Sequence, residues 1–246
     1  MPEAGEKPSA IFDAGFLPSS HQLDRFYLCR QIRVELAKFT PSSENRRILR
    51  RGEGIQVELV PREKFEYTPA RREFFKRYAD TKFGADVMSY ERFDSLFSNL
   101  IISHLLVFTD GKTGGEIGVA ALYVEPGTLA YYYYAFYDLN YFNRNLGMFM
   151  MTSAAVEFTA RGVKHLYLGT CYSAAALYKT QFAGAEFFNG FRWSNDLDEL
   201  KFIIRRDQEK VTGHLLEAPE YCVRFHGGSR EKMLAAGGFG FRLPGH

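Results

Sequence analysis

Cysteine is scarce in this chain of 246 residues: Cys29, Cys171 and Cys222 lie far apart, with no CxxC pair and an odd count. That excludes a disulfide framework or a tetrahedral thiolate site as the basis of the fold, and each is expected to be an ordinary reduced thiol. No stretch reaches about 18 uninterrupted apolar residues, and the N-terminus has no basic start followed by an apolar run, so membrane spanning and secretion are not expected. The expectation is a cytoplasmic protein with no membrane partner. An excess of one charge is also missing: the formal charge is only +2, so any nucleic-acid contact has to come from local clusters. GxSxG, HExxH and GxxxxGK[ST] are all absent, which removes the usual hydrolase, zinc-protease and nucleoside-triphosphatase chemistries. His104, His165, His214 and His226 show no metal spacing.

A hydrophobic fraction of 46% at this length is enough for a full core. Residues 1–20, rich in Pro, Gly, Ser and Glu, are expected to form a loose arm. Alternation of Ile32, Val34 and Leu36 reads as a short strand. "PSSENRRILRR" reads as a turn with a serine cap and a basic helical turn, and "GIQVELV" as a strand closed by Pro61. Helices follow at 69–83, opened by Pro69, and from Ser89, whose spacing suits a cap on the Arg92 amide. "HLLVFTD", "IGVAALYVE" and "LAYYYYAFYD" form a meander joined by the turn chemistry of "DGKTGGE" and "EPGT". A helix stopped at Gly162 then leads to the strand "VKHLYLG", expected to run parallel to its predecessor through a crossover. A shorter helix, "SAAALYKTQFAG", and a strand, "AEFFNGFRW", complete a second unit. Beyond about residue 200 the signals weaken, leaving "EKMLAAGGFGF" as a short helix before a glycine-rich tail. No repeat is present.

This order of elements resembles the GNAT acyltransferase fold. The expected class is therefore α/β (α+β), with a mixed, largely antiparallel central sheet. The expected division is a shortened N-terminal lobe over 1–54, a transferase domain over 55–200 and a C-terminal extension over 201–246.

Three constellations carry chemistry. In "YYYYAFYDLNYFNRNLG" a strand ends at a helix start, where free amides and the helix dipole suit a phosphate or a developing oxyanion. Gly147 would let backbone approach a ligand, or is simply a tight-turn residue; Arg144 is a ligand contact or a solvated charge. Tyr131 to Tyr134 should alternate faces, two in the core and two outward or into a cleft. In "HLYLGTCYSAAALYKTQF" a strand ends at Gly169 and Tyr178 and Lys179 follow, beside small residues that suit either a close ligand or helix packing. In "RRILRR", Arg46, Arg47, Arg50 and Arg51 form i, i+4 pairs whose guanidinium forks suit phosphates, or form a solvated face. A second basic run, Arg71, Arg72, Lys76 and Arg77, is interleaved with phenylalanines expected to be buried contacts.

Taken together, "SSENRRILRR", "FYDLNYFNRNLG", "HLYLG" and "YKTQFAGAEFFNGFRW" resemble the arginyl-tRNA:protein transferases and their bacterial relatives, the aspartate/glutamate leucyltransferases. Arg46, Arg47, Arg50 and Arg51 match the family's basic stretch. Phe136, Tyr137, Asp138, Leu146 and Gly147 match its FYDP and SLG elements, with Leu139 in place of proline. Tyr167, Leu168 and Gly169 match its YLG strand end, and Tyr178, Lys179, Phe182, Glu186, Gly190 and Trp193 its YKxxFxPxE and GxW. The resemblance spans roughly residues 28–193. The family's N-terminal cysteine cluster is missing apart from Cys29, so no metal centre is expected.

What the resemblance implies is aminoacyl transfer from charged tRNA to the N-terminal amine of a protein, with charged tRNA as co-substrate and no other cofactor. Its implied site has Tyr137 or Tyr178 relaying a proton and Asp138 orienting the amine. Arg144, Asn145, Gly147, Gly169 and Lys179 hold substrate, and Arg46, Arg47, Arg50 and Arg51 grip tRNA phosphates. Two alternatives stand beside it. One is acyl-CoA-dependent N-acylation, which "RNLG" serves poorly because Phe149 interrupts the RxxGxG/A loop. The other is a non-catalytic relative that binds tRNA or protein ends.

Overall fold

The computed structural model describes residues 7–237, apart from the side chains of 142–144. The glycine-rich tail beyond 237 and the side chain of Arg144 therefore lie outside the described residues. The chain opens with helix α1 (Pro8–Asp13) and the strands β1 (Phe16–Pro18) and β2 (Phe26–Leu28), which pair antiparallel. The expected loose arm is thus ordered from Pro8 onward, and the reason is apolar: Phe12 and Leu17 are buried against the sheet.

β3 (Gln31–Glu35) contains the predicted Ile32 and Val34 alternation, but Gln31 and Arg33 on its other face are buried as well. It lies inside a sheet, paired antiparallel on both sides, and helices cover both faces. Helix α2 (Ser43–Arg51) begins with a reciprocal capping box between Ser42 and Asn45. β4 (Ile55–Pro61) ends at its proline. Helix α3 (Pro69–Phe83) is capped by Thr68, and α4 (Tyr90–Ser98) by Ser89, whose hydroxyl accepts from the Arg92 amide at 3.2 Å as the spacing predicts. Three of the four basic residues of the run on α3 are paired internally: Arg71 with Glu116, Arg72 with Asp94 and Lys76 with Asp80.

β5 (His104–Asp110), β6 (Glu116–Glu125) and β7 (Leu129–Tyr137) form the meander. Helix α5 (Leu146–Ala160) crosses over to β8 (His165–Thr170), the one strand that pairs parallel, with β7. Nine residues of α5 are buried, consistent with a helix that is apolar around most of its circumference. The helix expected at 173–184 is a 3-10 segment, Ala174–Gln181, and the expected strand after it is split into β9 (Ala185–Phe188) and β10 (Trp193–Ser194). Asn189 causes the split, since its side-chain oxygen accepts from the amides of Phe191 and Arg192 and turns the chain.

Beyond residue 196 the chain is more regular than expected, with α6 (Leu197–Gln208), α7 (Pro219–His226) and α8 (Arg230–Ala236). The Asp196 carboxylate caps α6, and Leu200, Phe202, Ile203 and Ile204 join the core. Buried Glu199 ties this segment to the sheet end, accepting from Asn189 at 2.7 Å, Ser194 at 2.5 Å, Tyr221 at 2.6 Å and Arg192 at 3.0 Å.

The large sheet has eight strands in the order β10-β9-β3-β8-β7-β6-β5-β4, all antiparallel except β7 with β8. It is the mixed, largely antiparallel sheet of a GNAT-like fold. Period-2 alternation divides it cleanly: Ala120 and Leu122 face α5, whereas Val119 and Ala121 face α3 and α4. β3 comes from the segment expected to form a separate N-terminal lobe, yet it occupies the third position of this sheet.

His165 is buried where β8 meets both β7 and β3. Desolvation, then the nearby positive charges of Arg33 and Lys164, push its imidazole down to about 4 from an ordinary 6.5. The unfolded chain therefore takes up this proton before the folded one, so the contribution is complete above about 6.5 and is lost as pH falls toward 4. Urea denaturation across that window should show a falling stability, and His165→Gln should flatten the slope; an unchanged slope would contradict the buried neutral histidine.

Candidate active site

β7 and β8 pair at three positions only, Leu129 with His165, Ala130 with Leu166 and Tyr131 with Tyr167. After that they part. β8 continues along β3, with Gly169 opposite Ile32 and Thr170 opposite Gln31, while β7 continues along β6 to Tyr137. Each wall has a one-residue irregularity just past the parting. Tyr133 has no partner between the pairs Tyr132–Leu122 and Tyr134–Ala121, and Leu168 has none between Tyr167–Arg33 and Gly169–Ile32. Such bulges bend a strand and increase its twist, which holds the walls apart. Gly169 has φ of +80°, a conformation that costs a side-chain-bearing residue but not glycine.

The bulge also corrects the expected strict alternation of the four tyrosines. Tyr131 and Tyr132 are buried on opposite faces, but Tyr133 and Tyr134 both pack against the α3–α4 layer. Their rings are 4.5 Å apart.

Between the parted strands lies a cleft of about 680 Å³. One wall carries Tyr132, Tyr133, Tyr134 and Tyr137 of β7; the other carries Leu168 and Thr170 of β8 with Tyr178 and Lys179 of the 3-10 segment. Tyr78 and Phe83 of α3 close one side, and Asn145, Gly147, Met148 and Met151 close another. Of the predicted site residues, the cleft gathers Tyr137, Asn145, Gly147, Tyr178 and Lys179. Gly169 lies beside it, with Lys179 Nζ 3.8 Å from where its Cβ would be.

Asn145 initiates α5 in the left-handed conformation, φ 54° and ψ 48°, and its side chain makes no cap. The first amides of the helix have no intrahelical acceptor and retain the positive end of the dipole. A Cβ on Gly147 would lie 2.8 Å from the Tyr137 hydroxyl, so glycine is what permits that phenol to rest on the first turn of the helix. The Tyr137 ring in turn packs against Tyr78 at 4.7 Å.

Lys179 is the one charged side chain lining the cleft among the described residues. Its ammonium donates to the Thr170 carbonyl at 2.9 Å, and burial lowers its pKa. Tyr178 is 47% exposed, and its phenol is raised by the part of it that is desolvated and by proximity to Tyr137 and Cys171.

Asp138 does not line this cleft. Its carboxylate accepts from the amide and the side chain of Asn140, closing a turn, and it borders a second recess of about 380 Å³ with Arg77 and Glu116. The Tyr78–Tyr137 pair separates the two spaces. On α2, Arg46 donates to the Pro41 carbonyl and Arg47 pairs with Glu44, while Arg50 and Arg51 are exposed and make no salt bridge among the described residues, Arg51 acting on Glu44 only at longer range. The C-terminal end of α2, which carries Arg50 and Arg51, packs against the first turn of α5: Gly52 sits on the Phe149 ring. Sequence alone does not assign Tyr78 or Phe83 to the site, because α3 reaches it only through tertiary packing, nor Met148 and Met151, which read as part of an apolar helix.

No protein-family model matches the chain. It is similar to aspartate/glutamate leucyltransferases, at 26% identity over 195 residues to that of Pseudomonas aeruginosa, covering 75% of this chain and 81% of the relative. The Pseudomonas putida protein of the same name is 29% identical over 171 residues, 67% of this chain and 70% of that one. Among solved structures it is similar to FemX, with a TM-score of 0.43 and 12% identity over 58% of this chain and 52% of that one.

Substituting Gly147→Ala should place a methyl against the Tyr137 hydroxyl and cost about 1–3 kcal/mol of stability. Adding Tyr137→Phe removes the nearest atom and should recover part of the loss, a non-additivity readable by urea denaturation of the single and double variants.

Proposed function

We propose that this chain, a divergent relative of the bacterial aspartate/glutamate leucyltransferases, is an aminoacyltransferase that moves an amino acid from charged tRNA to the N-terminal amine of a protein. The parting of β7 from β8 beside an uncapped α5 carries this reading. It leaves a cleft wide enough for a nucleotide terminus, bordered by helix amides suited to a developing oxyanion.

The reaction needs little acid or base strength. The aminoacyl ester is already activated, and an N-terminal amine with a pKa of roughly 7.7–8.0 is partly the free base at neutral pH. The amine nitrogen attacks the ester carbonyl, the C–N bond forms, the bond from that carbon to the ribose oxygen breaks, and the amine proton ends on the ribose hydroxyl. Holding the two reactants together supplies up to about 7–11 kcal/mol of such a barrier.

In this scheme the amides of Leu146 and Gly147 receive the oxyanion. Tyr137 or Tyr178 passes the proton to the ribose oxygen, and Lys179 stabilises negative charge on the leaving group or on an acidic acceptor side chain. Arg50 and Arg51 extend the site along α2 toward the tRNA phosphates, which the contact of that helix with α5 favours. The position of Asp138 in the second recess suits a contact with acceptor residues beyond the first, and that of Arg46 and Arg47 a supporting one.

The test is a panel of charged tRNAs offered with peptides beginning with Asp, Glu or Ala, with acetyl-CoA as the competing donor. Label passing from at least one charged tRNA to a peptide N-terminus, and none from acetyl-CoA, is the expected result. Arg50→Ala should weaken tRNA binding and reduce its salt dependence by about one unit of slope. Folded protein that transfers nothing from any charged tRNA would refute the proposal.

A further inference from the structure

Six tyrosines line the cleft, Tyr78, Tyr132, Tyr133, Tyr134, Tyr137 and Tyr178, with Phe83 beside them, and no carboxylate or histidine lines it among the described residues. So dense an aromatic wall exceeds what an oxyanion or a ribose needs. The negative face of such rings attracts an ammonium. Tyr132 adds a polar group to the wall: it is 6% exposed, and its hydroxyl has no hydrogen-bond partner among the described residues. An unpaired buried hydroxyl is costly, and a guest N–H would satisfy its oxygen.

We propose that the phenol wall is a receptor for the primary amine of the acceptor, holding it with ring faces and the Tyr132 oxygen in place of a carboxylate. The identity of the guest rests on the transferase reading; the amine site itself does not.

The distinction from a carboxylate matters chemically. A carboxylate would hold the amine as ammonium, and an ammonium has no lone pair with which to attack. Ring faces hold an ammonium far less strongly than a carboxylate does, so burial and the Lys179 charge outweigh their pull and favour the neutral form. Burial also holds Tyr78, Tyr132, Tyr133 and Tyr178 above their ordinary values, so the wall stays uncharged at neutral pH. Lys179 is the charged group in the cleft among the described residues, and the acids Glu116 and Asp138 border the second recess behind the Tyr78–Tyr137 pair.

The experiment uses the full chain and a short peptide beginning with Asp whose α-amine is labelled with nitrogen-15, beside the same peptide acetylated at that amine. The free amine should bind at least tenfold more tightly than the acetylated form. Its bound nitrogen should titrate about one pH unit below the free value of roughly 7.7–8.0. Tyr134→Leu should weaken the free-amine peptide several-fold and leave the acetylated one unchanged, whereas Tyr134→Phe, which keeps the ring, should restore binding. Equal binding of the two peptides, binding of neither, or a bound amine titrating at or above its free value would overturn the proposal. Transfer from charged tRNA, measured alongside, separates the two claims. Transfer with an unshifted amine removes the amine receptor and leaves the transferase; a shifted amine without transfer does the reverse.

Discussion

Everything functional in this molecule depends on a hydrogen-bond ladder that stops early. β7 and β8 share three residue pairs and then take different partners, β7 following β6 and β8 following β3. Had the parallel pairing continued, the amides of both strands would satisfy each other and the space would be filled by sheet. Because it ends, two strand edges, a helix start and a short 3-10 segment converge on one opening. The bulges at Tyr133 and Leu168 make the separation a property of the backbone rather than of any one side chain.

From that geometry the chemistry follows by elimination and placement. Among the described residues the walls offer phenols, helix amides and one desolvated lysine, and no carboxylate or histidine. Such a site suits a reaction in which both partners arrive ready, and in which alignment and local polarity decide the rate. The exposed arginines at the end of α2 lie next to the first turn of α5, so a polyanion held there would have its terminus within reach of the cleft.

Most of the fold was legible in the chain because its signals are local. Ser42 and Ser89 cap the helices expected of them, Pro61 ends its strand, and the turn residues around 110–116 and 125–128 close the meander. The failures were also physical. The N-terminal segment reads as loose by composition, but the Phe12 ring packs against Phe26, Tyr123, Tyr131 and Tyr167, a tertiary contact that composition does not reveal. Of the last helices only α8 is signalled as a short helix, although Asp196, with Leu200, Ile203 and Ile204, gives α6 an ordinary cap and apolar period. At the site, Gly147, Tyr178 and Lys179 were visible as a pattern, whereas Tyr78 and Phe83 enter through the packing of α3, and the bulge at Tyr133 that redirects the tyrosines leaves no mark in their alternation. Asp138 is adjacent to Tyr137 in sequence but lies just past the end of β7, where its carboxylate turns to Asn140.

The position of β3 bears on how the chain is made. Arg33 reaches Tyr167 across a separation of 134 residues, and β9 lies later still. Until a ribosome has passed β8 at His165–Thr170, this early strand has neither of its neighbours, so its edges stay available to any other extended segment. Closure of the sheet must therefore come late, after a long loop has been drawn together, which slows assembly and leaves bare strand edges open to wrong pairing in the meantime.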